Sequence, residues 1–517
     1  MDGRADAIVV GGGHNGLVAA CYLARAGLRV LVLERAPSLG GMAAALPLVQ
    51  AAPDHVLSPG AYESVALRAG GVARELGLDR FGYRELEGQG WAWLGGGGES
   101  LWLRRALEPT LAEVARFSRA DAVRYRELAE VGLRALALQD AYSAADPRLP
   151  GWRTTLRLVA GLARDRRLRR ALASMLSSPL ADLIEASFES EPVRGAFASI
   201  GSILGAPTVD GTGLAMLAPL LLHAHGSGRP VGAMGGLVAA LERCLRAHGG
   251  EARTGEEVVR VEAAAGAVAI ALASGAELEA GAAILAIPPQ RAAEIAAGPL
   301  GNALVARLRG APANAAGVGA LTVSLALSGR LGLAAACERE DVDLRLPTLF
   351  AGSLAELAAA ARAGPRGELA DPLPFCAAIL TAVDPSQAPP GADAVQLYAP
   401  VPVEVAGGWK ARRGEAAERL IERASGFLAG LRELELGRFV EAPPDLERRT
   451  GAARGCIYHV DHVPTRMGPV RPAAGVGGYR TPAPNLYLSG AGTHPGGGVS
   501  GLPGRHAALA LLADRRR

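Results

Sequence analysis

The sequence predicts an α/β fold in which a Rossmann-like domain is interwoven with a second domain of mixed sheet plus helices. Three observations carry that prediction. A short apolar run near the N-terminus leads straight into a glycine fingerprint and a helix-forming segment. A second apolar run delivers an acid about 20 residues after the glycines, the spacing of a dinucleotide-binding unit. Near the other end of the chain, a further apolar run enters a second glycine-rich turn.

The first element is Ala7-Ile8-Val9-Val10, continuously apolar, as a central parallel strand covered on both faces requires. Gly11-Gly12-Gly13-His14-Asn15-Gly16 follows at once and satisfies G-x-G-x-x-G through Gly11, Gly13 and Gly16. Residues 17–26 are rich in helix formers and end at Gly27, a natural stop. The three glycines serve different ends. Gly11 permits the tight turn, Gly13 lets backbone approach a pyrophosphate, and Gly16 lets the helix pack against the sheet. The helix N-terminus then faces the phosphates, with His14 and Asn15 beside them. Residues 29–33 form the next strand and deliver Glu34, placed to hydrogen-bond a ribose 2′-hydroxyl and to repel the 2′-phosphate of NADP. With 68 glycines in the chain, a chance match is the competing explanation, but strand, helix, second strand and acid all agree. In Glu34-Arg35-Ala36-Pro37-Ser38-Leu39-Gly40-Gly41-Met42 a glycine pair follows the acid, where the chain passes close to an extended cofactor. Arg35, Gly40, Gly41 and Met42 therefore join the candidate contacts, and the pattern favours FAD over NAD.

Asn485-Leu486-Tyr487-Leu488 reads as a strand, followed by Ser489-Gly490-Ala491-Gly492-Thr493-His494-Pro495-Gly496-Gly497-Gly498-Val499 and a helix that begins between 499 and 503. Backbone N–H groups and the positive end of that helix would stabilise negative charge on a reduced flavin. Gly490, Gly492, Thr493 and Val499 are the candidate contacts.

These two terminal blocks resemble the phytoene desaturase (carotenoid desaturase) family and its phytoene-dehydrogenase-related branch, within the amine oxidase superfamily. A third segment, Arg229-Pro230-Val231-Gly232-Ala233-Met234-Gly235-Gly236-Leu237, is similar to the one that returns the family's chain to its FAD domain. The resemblance implies a two-dinucleotide-binding-domain flavoprotein with FAD as cofactor. Strands near 257–261 and 283–287 complete the domain, with Val258 placed like the residue whose backbone contacts the adenine. It implies FAD-domain parts at 1–68, 229–290 and 456–517, a helical substrate or membrane-proximal region at 69–228, and a substrate sheet with helices at 291–455. The chain departs from the family where Asn-Ala-Asp-Pro would follow the last FAD-domain strand, having Ala286-Ile287-Pro288-Pro289 instead. Fold transfers; the substrate does not.

The middle supplies the rest. Residues 69–228 are rich in Leu, Ala, Arg and Glu, and alternating apolar runs between 322 and 400 predict a second sheet facing the cofactor. Residues 152–175 carry Arg153, Arg157, Arg164, Arg166, Arg167, Arg169 and Arg170 amid apolar residues. Such a pattern fits either a solvated helix face or peripheral contact with anionic lipid, and the arginine-rich composition favours the first.

Composition narrows the function classes. A chain of 517 residues with 50% hydrophobic content buries a large core and exceeds the size of a single one. Net charge is only +3, and Lys410 is the sole lysine among 54 basic residues, so no nucleic-acid partner is expected. The five cysteines are scattered and form no C-x-x-C, against a disulfide framework, a zinc site or a disulfide reductase. The acid-bearing start, Met1-Asp2-Gly3-Arg4-Ala5-Asp6, leaves no room for a signal peptide, and the longest apolar run, 214–222, is far short of the roughly 20 residues of a membrane span. A cytoplasmic protein is expected, peripheral to a membrane if attached at all.

Dehydrogenation needs a destination for a proton, often a histidine. His459, in Tyr458-His459-Val460-Asp461-His462 just ahead of the glycine-rich turn, and His225, before the return to the FAD domain, are the catalytic candidates. A metal held by His459, Asp461 and His462 lacks the further acid or thiol that would complete a ligand set. The leading expectation is an FAD-dependent dehydrogenase or oxidase acting on a small apolar or polyene-like metabolite. Oxygen or quinone, rather than nicotinamide, would reoxidise the flavin, since no second nucleotide fingerprint is evident. Two alternatives remain. Amine oxidation normally needs an aromatic cage, and aromatics make up 4% of the chain. The other is a redox-neutral flavin-dependent isomerase or ligand-binding flavoprotein.

Overall fold

The computed structural model describes residues 4–148, 150–264 and 266–516. Met1, Asp2 and Gly3, part of the segment on which the expectation of an unprocessed start rests, lie outside the described residues. The chain opens with β1 (Ala5–Val10), α1 (His14–Arg25) and β2 (Val30–Glu34). Helix α1 starts earlier than expected because Gly13 is its N-cap, so that the last fingerprint residues form its first turn. There follow β3 (Trp91–Leu94), β4 (Ser100–Leu103), α2 (Arg119–Ser143), α3 (Trp152–Arg164), α4 (Arg166–Ser177), α5 (Glu191–Gly201) and α6 (Ala218–His225). The chain then returns through α7 (Gly235–Ala247), β5 (Glu251–Thr254), β6 (Val258–Ala264), β7 (Ala267–Leu272) and β8 (Glu277–Leu285). A second excursion holds β9 (Val318–Leu327), β10 (Thr348–Ala351), β11 (Phe375–Ile379), β12 (Asp393–Pro402), α8 (Trp409–Ser425), β13 (Glu435–Glu441) and α9 (Pro443–Thr450). Last come β14 (Leu486–Leu488) and α10 (Leu502–Asp514).

Two seven-stranded sheets organise these elements. The first has the order β5-β2-β1-β8-β7-β6, with β14 parallel to the second half of β8. Its strands β5, β2, β1, β8 and β14 are mutually parallel neighbours, while β6 and β7 form an antiparallel appendage. One face is covered by α1, α7 and α10 and the other by the helices at 289–309, whose Ala292, Ile295, Leu304 and Leu308 pack with Ile8, Val10 and Leu285. The dinucleotide domain therefore extends past the expected limit at 290, because those short alanine-rich helices bury their apolar sides on this sheet.

The second sheet has the order β13-β9-β12-β11-β10-β3-β4. Strands β3 and β4 come from the stretch expected to be helical, and β3 runs parallel to β10. The sequence Trp91-Ala92-Trp93-Leu94, four glycines and Glu99, then Ser100-Leu101-Trp102-Leu103 is a hairpin pattern that the surrounding helix-like composition obscures. Alternation along it is strict. Trp91, Trp93, Leu101 and Leu103 face the core shared with α2, α5 and α6, while Ala92, Leu94 and Trp102 face the core shared with α8. Among the described residues no helix is long and apolar enough to cross a membrane.

Candidate functional site

Between the two sheets runs a cavity of about 610 Å³. Glu34, Arg35, Glu256 and Val258 line it on the dinucleotide side, and Thr322, Phe350, Gln396 and Tyr398 line it on the side of the second sheet. Gly11, Gly13, His14 and Asn15 come between them in the wall, together with Gly490 and Val499 from the C-terminal turn.

The N-terminal half is built by close approach. A Cβ on Gly16 would lie 1.9 Å from the Gly11 carbonyl oxygen, so only glycine lets α1 pack here. The Glu34 carboxylate is fixed by two backbone donors: Gly12 N–H donates to Oε2 at 2.7 Å and Ala36 N–H to Oε1 at 2.9 Å. Its remaining lone pairs are free to accept ribose hydroxyls. Gly40 N–H donates to the Gly12 carbonyl at 2.9 Å and so ties the glycine pair to the fingerprint. His14 and Asn15 are buried, and His14 Nε2 and Asn15 Oδ1 have no protein partner, so the wall offers polar atoms waiting for a ligand.

The C-terminal half turns on Arg471, which is 1% exposed. Its Nη1 donates to the carbonyls of Asp461 and Arg466 at 3.1 and 3.2 Å. Its Nη2 donates to Tyr458, Val460 and Ala491 at 3.1, 2.8 and 3.0 Å. One guanidinium thus binds the histidine-bearing segment to the glycine-rich turn. Thr493 Oγ1 donates to the Gly490 carbonyl at 2.9 Å and closes that turn. Val499 and His459 hold φ of +61° and +62°, a left-handed conformation rarely adopted by such residues, and both line the cavity wall. Ser500 and Leu502 also line the cavity, so the N-terminus of α10 meets it as expected.

Of the residues singled out from sequence, Gly11, Gly13, His14, Asn15, Glu34, Arg35, Gly41, Met42, Val258, Gly490, Val499 and His459 line the cavity. Gly16, Gly40, Gly492 and Thr493 stand behind the wall and shape it. His225 does not itself line the cavity: at the end of α6 its Nε2 lies 3.2 Å from Oδ2 of Asp140, which does, so His225 stands one residue behind the wall. Asp461 is turned away from His459 and His462 and accepts from the N–H groups of Asn314 and Ala315 at 2.7 and 2.9 Å. Cys21 and Cys244, far apart in sequence, meet between α1 and α7, yet both are buried off the cavity.

Sequence reasoning missed Arg449, whose guanidinium donates to the Gly41 carbonyl at 3.1 Å and pairs through both ends with Glu441 at 2.6 and 2.8 Å. It also missed Tyr62, Trp91, Gln396 and Tyr398 as lining residues. Arg449 and Glu441 had one signal, their appearance within nine residues on a strand and the following helix. The others had none, since topology alone brings them together.

Comparison with known proteins fits this geometry. Residues 151–504 match the family model for flavin containing amine oxidoreductases, and residues 9–61 match a model for an NAD(P)-binding Rossmann-like domain. The chain belongs to the flavin containing amine oxidoreductase family. It is an oxidoreductase, and FAD is its cofactor. A rat protein called pyridine nucleotide-disulfide oxidoreductase domain-containing protein 2 is 27% identical over 98% of this chain and 93% of its own length. A phytoene desaturase (lycopene-forming) of Pseudescherichia vulneris is 31% identical over 135 residues, covering 25% of this chain and 26% of that one. Among solved structures, a putrescine oxidase variant superposes with a TM-score of 0.61 at 16% identity, over 99% of both chains, a likeness of fold. The residues present fit FAD: a glycine cradle that a Cβ would fill, a fixed acid, orphaned polar atoms on His14 and Asn15, and a helix N-terminus.

Burial sets the protonation of the wall. It pulls His14 down to about 4 and, with the Arg471 charge assisting, His459 and His462 down to about 3. His494 and His506, which do not line the cavity, stand at about 3 and about 4, mainly through burial. All are neutral at pH 7. As pH falls below about 6.5 the unfolded chain takes up these protons before the folded one does, so stability declines from pH 6.5 toward 3. Each histidine contributes a slope of up to about 1.4 kcal/mol per pH unit. Thermal melts should show Tm falling by about 10 °C between pH 7 and pH 5. A flat profile over that range would mean the histidines are hydrated and accessible.

Proposed function

We propose that the enzyme dehydrogenates a small apolar, polyene-like substrate in the manner of a desaturase. The carrying observation is the wall that faces the dinucleotide side, where Ile200, Ile203, Leu204, Leu221 and Phe350 surround the space left for substrate. The likeness of both terminal blocks to the phytoene desaturases supports the same reading. Glu34, Arg35 and Val258 would hold the adenosine half of FAD, and Gly11, Gly13, His14 and Asn15 its pyrophosphate. Gly41, Met42 and Arg449, with Gly490 and Val499, would hold the flavin half. When bound, FAD supplies a two-electron acceptor for a hydride from a substrate C–H bond.

His459 presents a neutral imidazole whose Nδ1 has no partner. Removing hydride from an apolar chain leaves an electron-poor carbon and makes the neighbouring C–H strongly acidic. Even a weak base then suffices: Nδ1 takes that proton while the C–H electrons complete the new double bond. Oxygen or a quinone is proposed as the final electron acceptor.

One observation favours a second reading. Although aromatics are scarce in the chain, Tyr62, Trp91, Phe350, Tyr398 and Tyr458 all line this cavity, which gives amine oxidation the aromatic surroundings that composition alone argued against. The test is the visible spectrum of the purified holoenzyme during anaerobic addition of polyene hydrocarbons, alcohols and amines. Bleaching of the flavin bands by a polyene is expected. Bleaching by amines alone would replace the first reading with the second, and a flavin that no class reduces would point to a redox-neutral role.

A further inference from the structure

Away from the cavity, α3 and α4 carry a surface that the other described residues leave bare. Trp152, Leu156 and Val159 follow helical spacing and are 72%, 60% and 59% exposed, and Ala163 extends their line. The other side of α3 rests on α2, where Gly161 sits against Leu138, and no residue of α3 is fully buried. An ordinary solvated helix turns its apolar stripe inward; this one turns it outward.

Seven arginines share α3 and α4 with that stripe, and Asp165 is the only acid between 152 and 177. Asp165 is already committed, accepting from Leu168 N–H at 2.9 Å and pairing with Arg134 at 2.9 Å. Arg167 faces Glu127 at 3.7 Å, and Arg169 caps α3 through the carbonyls of Leu162 and Ala163. Among the described residues, Arg153, Arg157, Arg164, Arg166 and Arg170 have no carboxylate within ion-pair distance, and Arg153 lies over the Trp152 ring at 5.2 Å.

We propose that this surface docks the protein on an anionic lipid bilayer. Helix α3 lies in the membrane plane, with Trp152, Leu156 and Val159 at the boundary between headgroups and acyl chains and the arginines on lipid phosphates. A second copy of the chain fits poorly, since a symmetric contact would set unpaired arginines against the same arginines. A purely electrostatic partner would leave the apolar line uncovered. The inference goes beyond the reading of the cavity and stands or falls independently of the substrate.

The full-length holoprotein would be sedimented with vesicles of phosphatidylcholine alone and with an equal mixture of phosphatidylcholine and phosphatidylglycerol. Binding to the mixed vesicles should be at least about tenfold stronger and should weaken with salt. Trp91, Trp93, Trp102 and Trp409 are buried, so a blue shift of tryptophan emission on adding vesicles should come from Trp152 and vanish in Trp152→Phe. The double variant Leu156→Ser, Val159→Ser should lose about tenfold in binding with an unchanged melting temperature, because both positions are exposed. Replacing Arg157, Arg164, Arg166 and Arg170 with Gln should abolish the preference for phosphatidylglycerol. Protein that stays in the supernatant with mixed vesicles at low salt would overturn the proposal. So would binding that neither set of changes alters, or a dimer in ultracentrifugation that Leu156→Ser, Val159→Ser dissociates.

Discussion

Gly16→Ala should disrupt both the packing of α1 and the retention of FAD, whereas Gly13→Ala should remove the cofactor and leave the fold intact. The two glycines belong to one fingerprint but meet different surroundings. At Gly16 an added Cβ lies 1.9 Å from the oxygen and 3.1 Å from the carbon of the Gly11 carbonyl, and 3.3 Å from the Ala286 side chain. Backbone cannot swing aside as a flexible side chain can, so α1 must shift on the sheet, an overpacking penalty of about 1–3 kcal/mol. In a protein of this size that lowers Tm by a few degrees, and the displaced helix N-terminus no longer meets the pyrophosphate. At Gly13 the nearest atom to an added Cβ is the Gly40 carbonyl oxygen at 4.0 Å, and φ of −67° suits any L-residue. The methyl group projects instead at the cavity where the pyrophosphate is proposed to lie. Melts of the apoproteins and titration with FAD separate the two: Gly13→Ala should melt within about 1 °C of wild type yet bind FAD at least about 100-fold more weakly. Normal FAD affinity in Gly13→Ala would move the pyrophosphate elsewhere, and a normally stable, yellow Gly16→Ala would contradict the close approach of α1.

That contrast shows why part of the site was legible in the sequence. Gly11, Gly13, Gly16 and Glu34 act through local geometry, a turn joining adjacent elements, and local geometry leaves a spacing that survives as a motif. The same holds for the turn at 490–499 between β14 and α10. Tyr398, Gln396 and Thr322 left no such trace: they sit on central strands of the second sheet, and which faces meet the cofactor is decided by pairings such as Thr322 with Tyr398 across β9 and β12. His225 shows the converse limit. Nearness in sequence to the return segment suggested direct contact with the flavin, but the last turn of α6 sets its ring behind Asp140, and it is Asp140 that lines the cavity. Strands β3 and β4 were missed because three of the five tryptophans, a strand signal, are embedded in a stretch whose overall composition is helical.

Arg471 belongs to no motif, yet its removal is expected to have the largest effect of any single side chain in the site. Five carbonyls, on Tyr458, Val460, Asp461, Arg466 and Ala491, depend on its two terminal nitrogens. Arg471→Met fills much of the volume but supplies no donor, and stranding buried acceptors of this kind destabilises by about 3–5 kcal/mol. Lowered Tm should be accompanied by loss of FAD, because the freed segment carries His459 and the freed turn carries Ala491, both part of the cavity wall. Arg471→Lys keeps the charge but not the planar fork that reaches five acceptors, so it should recover little stability. The two variants differ in a second readout. Positive charge at 471 helps hold His459 and His462 unprotonated, and in Arg471→Met its absence lets both pKa values rise toward the unfolded value. The folded chain then begins to take up these protons at a higher pH, so the decline in stability toward pH 3 should level off sooner in Arg471→Met than in Arg471→Lys. Melts across pH 3 to 8 test both statements. An Arg471→Met variant that melts within about 1 °C of wild type at pH 7 would show that the five carbonyls find other partners and that Arg471 is not what holds the histidine segment against the flavin turn.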